Sequence, residues 1–303
     1  MNRVRHFSLS AALLRLGLVS GVLVSLGLTA QMAAAQSMAV PAYFYPGLFW
    51  NQLDQAGSGV GVAVMNPSSG PGTGPDPQYL GAVRSAEAAG ITVVGYVYTS
   101  YGSRSLAAVE SDVNNYYSWY PGLGGIFFDE ASTDCGDEAY YATLNSYVKT
   151  KGGTALTILN PGTQTNQCYE PAADILLTFE GSYSQYVNSY SPPPWVANYP
   201  ASHFWHVVYA TSTTSAMATA VQLSKARNAG YVYVTSATLP NPYAVLPSGG
   251  YWSNELAAIA APPTALGGGG SPTAAPHPAA AGPVADTVDR LARHTETFPQ
   301  TWR

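Results

Sequence analysis

Two short stretches end an apolar run on carboxylates. GGIFFDEAST (124–133) runs through Ile126, Phe127 and Phe128 into Asp129 and Glu130, and DILLTFEG (174–181) runs into Glu180. Only 10% of the chain is charged, so acids that close buried-looking strands stand out. Two carboxyl groups facing each other across a cleft are what glycoside hydrolysis requires. One, held protonated, donates to the leaving oxygen, while the other attacks the anomeric carbon or activates water. Burial raises one pKa, and nearby donors keep the other group ionised. Tyrosine, present 22 times, supplies flat faces for sugar rings. The plainer alternative is that each acid caps a helix or sits in a solvated loop. Adjacent strand residues also point to opposite faces, so Asp129 and Glu130 cannot face one centre equally.

The elements that must position these acids form a regular series. Strand-like runs fall at 40–45, 59–66, 92–99, 124–130, 154–160, 174–180, 203–210 and 230–236, each short, rich in β-branched or aromatic residues, and bounded by Gly, Pro or Asn. Most are apolar on both faces, which suits parallel strands covered by helices. Helical periodicity occupies 77–90, 103–120, 137–152 and 213–230, and Gly90 sits where a helix would stop. The connections after the first, fifth and sixth strands look shorter or more irregular. Eight strands alternating with helices predict a single (β/α)8 barrel over 36–261. A doubly wound open sheet is the competing architecture. It would carry a Gly-rich phosphate loop after its first strand, and YPGLFW (45–50) is not one.

In such a barrel the active site forms at the carboxyl ends of the strands. There the sequence places Tyr45, Asn66, Tyr98, Asp129 with Glu130, Asn160, Glu180, Tyr209 and Ser236. The acids come from strands four and six. Tyr45, Asn66, Tyr98, Asn160 and Tyr209 are the candidate substrate contacts, chosen by strand-end position alone. His203 and His206 read as core or rim residues with no acidic cluster beside them. There is no His-Glu-x-x-His zinc motif, no P-loop and no Gly-x-Ser-x-Gly elbow, so neither a metal nor a cofactor is expected.

The ends of the chain read differently. Arg3 and Arg5 precede an apolar run from about Ala11 to Ala30, and QMAAAQ follows with Ala33 and Ala35 at the small positions. This is the pattern of a signal peptide over 1–35, so a secreted protein without a membrane segment after cleavage is expected. Residues 262–303, rich in Gly, Pro and Ala, read as a disordered tail. Between them stand six basic and fourteen acidic side chains, a formal charge of −8, which argues against a nucleic-acid partner. The two cysteines, Cys135 and Cys168, are expected to form a disulfide in an exported chain. A monomer is expected.

VPAYFYPGLFWNQL (40–53), VAVMNPSSGPG (62–72), GIFFDE (125–130), ILNPG (158–162) and LLTFEGSY (176–183) together resemble the spherulin-4 family, which includes secreted glycoside hydrolases of family 135. The resemblance spans about residues 40–260. It implies a (β/α)8 barrel and endo-α-1,4-N-acetylgalactosaminidase activity on galactosaminogalactan-type exopolysaccharide, a biofilm polymer. It also carries the catalytic roles onto the FDE and FEG motifs: Asp129 as nucleophile or charge stabiliser, Glu180 as general acid/base, and Glu130 positioning substrate or tuning its neighbour. The alternative class is a non-catalytic secreted protein that binds polysaccharide or builds a cell surface or spore coat, since a barrel alone does not establish catalysis.

Overall fold

The structure is a computed structural model that describes Met1 and residues 36–264. Apart from Met1 and residues 262–264, the expected signal peptide and tail lie outside the described residues. Eight parallel strands close into a barrel in chain order: β1 (Ser37–Ala42), β2 (Val60–Met65), β3 (Thr92–Tyr98), β4 (Gly125–Asp129), β5 (Leu156–Leu159), β6 (Ile175–Ser182), β7 (Phe204–Tyr209) and β8 (Tyr231–Val234), with β8 returning to β1. The helices are α1 (Leu48–Ala56), α2 (Pro77–Ala88), α3 (Leu106–Trp119), α4 (Glu138–Lys149), α5 (Tyr183–Asn188), α6 (Thr214–Ala226) and α7 (Gly250–Ala260). The expected (β/α)8 architecture is what the chain adopts.

Local sequence accounts for most boundaries. Asp76 caps α2 through the Gln78 amide with Pro77 in the first turn, and Ser105 and Thr213 cap α3 and α6 in the same way. Gly90, with φ 87°, terminates α2 as its position predicts. Inward faces follow the helical period: Tyr79, Ala82, Val83 and Ala86 on α2, and Tyr141, Leu144 and Val148 on α4. The connection after β5 contains only a 3₁₀ turn, Gln167–Ala172, and that after β6 a six-residue helix, matching the irregularity read there.

The largest strand displacement is at β1. β1 starts at Ser37 and ends at Ala42, three residues earlier than the aromatic run suggested. Its register with β2 runs from Met38↔Val60 to Ala42↔Met65, which leaves Tyr43–Tyr45 outside the ladder. Their aromatic character serves loop packing instead. The Phe44 ring meets Phe49 at 5.2 Å, and the Trp50 indole N–H donates to the Phe44 carbonyl at 3.1 Å. Strand propensity measures fit to a half-buried surface, and a packed loop offers the same surface.

Two further details aim the acids. Gly125 opens β4 because a Cβ there would lie 2.2 Å from the Leu156 carbonyl oxygen, so β4 and β5 pair only with glycine at that place. On β6 the register with β7 shifts between Leu177 and Phe179. The shift sends the Phe179 ring against Tyr186 and Tyr190, at 4.6 and 4.7 Å, and leaves Glu180 free to reach the barrel mouth. Beneath the mouth Tyr96 stacks on Phe127 at 6.1 Å and Phe127 meets Trp205 at 5.8 Å, a dry aromatic floor.

Candidate active site

Asp129 ends β4, Glu180 lies near the end of β6, and Asn160 follows β5 between them. Asn160 is 5% exposed, and its amide nitrogen donates to both acids: to Asp129 Oδ1 at 2.9 Å and to Glu180 Oε2 at 2.7 Å. Its Oδ1 accepts from the Gly162 amide at 2.8 Å, so hydrogen bonding fixes which way the side chain points. Because both contacts share one nitrogen, the two inner carboxylate oxygens stand no more than about 5.6 Å apart. The second Glu180 oxygen accepts from the Tyr243 hydroxyl at 2.6 Å.

Burial pushes the Asp129 carboxyl up to about 7, and the neighbouring Glu180 and Glu130 add to the rise. A hydrogen bond from the Tyr96 hydroxyl and one from the Glu130 backbone pull the other way. Two neighbouring carboxyls in a poorly solvated site resist a second charge, so the pair holds a proton near neutral pH. Asp129 is the member whose carboxyl burial raises. Glu180 meanwhile accepts two short hydrogen bonds, from the Asn160 amide and the Tyr243 hydroxyl.

Glu130 follows Asp129 with φ 48°, a left-handed conformation uncommon for a residue with a side chain. Its carbonyl is held there by the Tyr101 amide at 2.6 Å and the Thr99 hydroxyl at 2.8 Å. Ser100, Tyr101 and Ala210 share positive φ, so unfavourable backbone gathers at the ends of β3, β4 and β7. Such strain persists only where surrounding contacts enforce it, and active sites are where it concentrates. The turn keeps both acids at the mouth although they are adjacent in sequence.

The remaining sequence-chosen residues are dispersed. Tyr98 pairs with Asp129 in the ladder and lies under the Arg104 guanidinium at 4.1 Å. Asn66 closes its own loop by accepting from the Gly70 amide at 3.1 Å. Tyr209 ends β7 opposite Ser182, close enough to Tyr243 to affect its ionisation. Tyr45 stands on the rim, hydrogen-bonded to Asp76 rather than to the acids. His206 is buried in contact with the Tyr186, Tyr190 and Thr178 hydroxyls, and burial holds its pKa down to about 3. His203 lies in the turn before β7 and, unlike the sequence reading, does meet an acid: Glu170, at 2.8 Å. Among the described residues no His, Cys, Asp or Glu cluster is arranged to hold a metal.

Three tyrosines at the acids were not singled out from sequence. Tyr43 has its ionisation suppressed by burial, Asp129 and Glu180; Tyr96 faces Asp129; and Tyr243 reaches Glu180. Tyr96 stands two residues before Tyr98 on β3, on the same side by strand alternation, and that period was the available signal; Tyr43 lies in the loop beyond β1, where no such period applies. Tyr243 comes from the long connection after β8, and nothing in the sequence marks it. The three rings interlock edge to face around Tyr43, at 5.6 Å to Tyr96 and 5.7 Å to Tyr243.

The Cys135–Cys168 disulfide joins the connections after β4 and β5, the two that flank Asn160. The Asn166 side chain donates to the Thr133 carbonyl at 2.7 Å, and the Ala131 amide to the Asn160 carbonyl at 2.9 Å, so covalent and hydrogen-bonded ties coincide.

Comparison with known proteins agrees with this architecture. A crystal structure of Aspergillus clavatus Sph3 in complex with GalNAc superimposes with a TM-score of 0.66 at 26% identity, covering 75% of this chain and 98% of that one. The fold is thus a glycoside hydrolase-like barrel. Spherulin-4 of Physarum polycephalum is 36% identical over 219 residues, 69% of this chain and 65% of that protein, just under two thirds of the relative's length. Residues 37–259 match the profile described as spherulation-specific family 4. The chain is a member of this spherulin-4 family.

Proposed function

We propose that this protein is a secreted, endo-acting glycoside hydrolase that cleaves α-1,4-linked N-acetylgalactosamine or galactosamine polymers. The observation that carries the reading is the Asp129–Glu180 pair, bridged by one buried amide at the mouth of the barrel. The family relation and the GalNAc bound to Aspergillus clavatus Sph3 support an amino-sugar substrate.

Double displacement with retention, which places the two carboxyls about 5–5.5 Å apart, is the scheme proposed for a pair whose inner oxygens share one bridging amide. In that scheme the protonated Asp129 gives its proton to the glycosidic oxygen as the bond to the anomeric carbon breaks. Glu180 attacks that carbon and forms a glycosyl ester. Asp129, now a base, takes a proton from the water that hydrolyses the ester, and both acids return to their starting forms. This reverses the assignment that the family resemblance implied. The reversal rests on the Asp129 carboxyl, which burial raises to about 7. Glu130, beside Asp129, is proposed to position substrate.

Mass spectrometry of products from galactosaminogalactan tests the reading, using the full-length protein beside Asp129→Asn and Glu180→Gln. Hexosamine oligomers from the parent, and near-total loss in both variants, are expected. A well-folded parent that binds polymer without cutting it would be a binding protein instead. Azide rescue of a Glu180→Gly variant, with a glycosyl azide as product, would identify the nucleophile; rescue of Asp129→Gly instead would restore the roles implied by resemblance.

A further inference from the structure

A pair of residues on the rim is not used by this mechanism. Tyr45 lies on the connection after β1 and Asp76 on the connection after β2, so both share the barrel face of the acids. In the closed strand order β1 stands opposite β5, the strand that leads into Asn160, which puts the pair across the mouth from the bridging amide.

Tyr45 is 56% exposed, yet its ring is held at two points. Its hydroxyl donates to Asp76 Oδ2 at 2.9 Å, and the ring packs edge to face with Tyr79 at 5.5 Å, the planes 83° apart. A fixed ring with a face open to solvent offers a stacking surface at little ordering cost. Asp76 Oδ1 accepts from the Gln78 amide at 2.8 Å. Each carboxylate oxygen can accept twice, so acceptor capacity remains beside the ring. The ion pairs among the described residues are Arg104–Asp112, Lys149–Asp174 and His203–Glu170, and none engages Asp76. The groove beside Glu180, about 250 Å³, contrasts with this end: Thr163, Gln164, Gln185, Ser189 and Tyr190 give it neutral hydroxyls and amides. The groove therefore sets the Glu180 carboxyl among neutral side chains, while across the rim the Asp76 carboxyl stands beside the Tyr45 ring.

We infer that Tyr45 and Asp76 form a distal subsite for a hexosamine unit bearing a free, protonated amine. The ring takes the apolar face of the sugar and the carboxylate takes the ammonium group. An N-acetylated unit can use the ring but presents no cation to Asp76. The inference rests on the amino-polysaccharide reading above and adds selectivity for acetylation pattern along the chain.

The test is calorimetric titration of the full-length protein carrying Glu180→Gln, so that ligand is not consumed. The ligands are α-1,4-galactosamine oligomers, fully N-acetylated or partly deacetylated, at low salt. Adding Asp76→Asn, which preserves an N-cap acceptor, should weaken the deacetylated ligand about fivefold and leave the acetylated one unchanged. Adding Tyr45→Ala should weaken both. Equal effects of Asp76→Asn on the two ligands, or none, would overturn the ammonium assignment, as would indifference to Tyr45→Ala. If the parent enzyme cuts the polymer but these variants are silent, only the subsite falls. If the parent neither cuts nor binds either polymer, the hydrolase reading falls and takes the subsite with it.

Discussion

Replacing Tyr96 by Phe removes one hydroxyl and keeps the ring that stacks on Phe127 and meets Tyr43 edge-on. The hydroxyl is the foremost influence lowering the Asp129 pKa, which burial and Glu180 nonetheless hold up at about 7. A hydrogen bond to a charged acceptor contributes about 1.5–3 kcal/mol, and one pKa unit corresponds to about 1.4 kcal/mol. Water entering the vacated space restores part of this, so a rise of about one unit is expected. If Asp129 is the acid, kcat/KM falls as pH rises through its pKa, because the proton needed by the leaving group is lost. The alkaline limb of the parent should lie near neutrality, and that of Tyr96→Phe about one unit higher. Initial rates of reducing-end release across pH 4–9, at substrate well below KM, measure the limb directly. A limb that stays in place or moves down would refute the assignment of the proton to Asp129. Thermal midpoints taken alongside separate a folding defect from a shifted limb.

Other consequences can be checked by substitution. Tyr243→Phe deletes the 2.6 Å donor to Glu180 and should lower kcat about tenfold to a hundredfold while KM moves little, measured by steady-state kinetics. Gly95→Ala would place a methyl 2.7 Å from the buried Tyr116 ring and should destabilise the fold by about 1–3 kcal/mol in urea unfolding, with kcat per folded molecule unchanged. Glu255 is wholly buried on α7, accepting the Val234 amide at 2.7 Å, and burial holds its pKa well above the usual carboxylate range. Its folded state keeps a proton that the unfolded chain releases above about pH 4.3, so this contribution to stability is lost as pH rises. Glu255→Gln should flatten that decline in melts between pH 5 and 9; an unchanged slope would contradict a protonated Glu255.

The strands and the helices α2, α3, α4 and α6 were legible because short apolar runs alternate with 3.6-residue periodicity, whereas α1, α5 and α7 were not, and Asp129 and Glu180 were legible because each closes an apolar run. Asn160 was chosen only as a strand end. Its bridging role depends on the meeting of β4, β5 and β6, which no local pattern encodes. Tyr43 was displaced by the misplaced end of β1: aromatic content extended the strand to 45, and pairing with β2 stopped it at 42. Tyr243 depends on the path of a long connection after β8, and loop paths follow from packing rather than from a repeating pattern. Glu180 owes its aim partly to a register shift that is visible only once β7 is alongside.

The disulfide closes a ring of chain that contains β5 and both of its flanking connections, with the bridging Asn160 inside that ring. Cross-linking over 33 residues favours the native state by about 3–4 kcal/mol in the chain-entropy model. The benefit is local as well as global, because the segment whose freedom is curtailed is the one that spaces the two acids. A chain assembled where thiols stay reduced would have the same strands and acids but an untethered spacer. The segment that carries the bridging amide is thereby tied covalently as well as by hydrogen bonds.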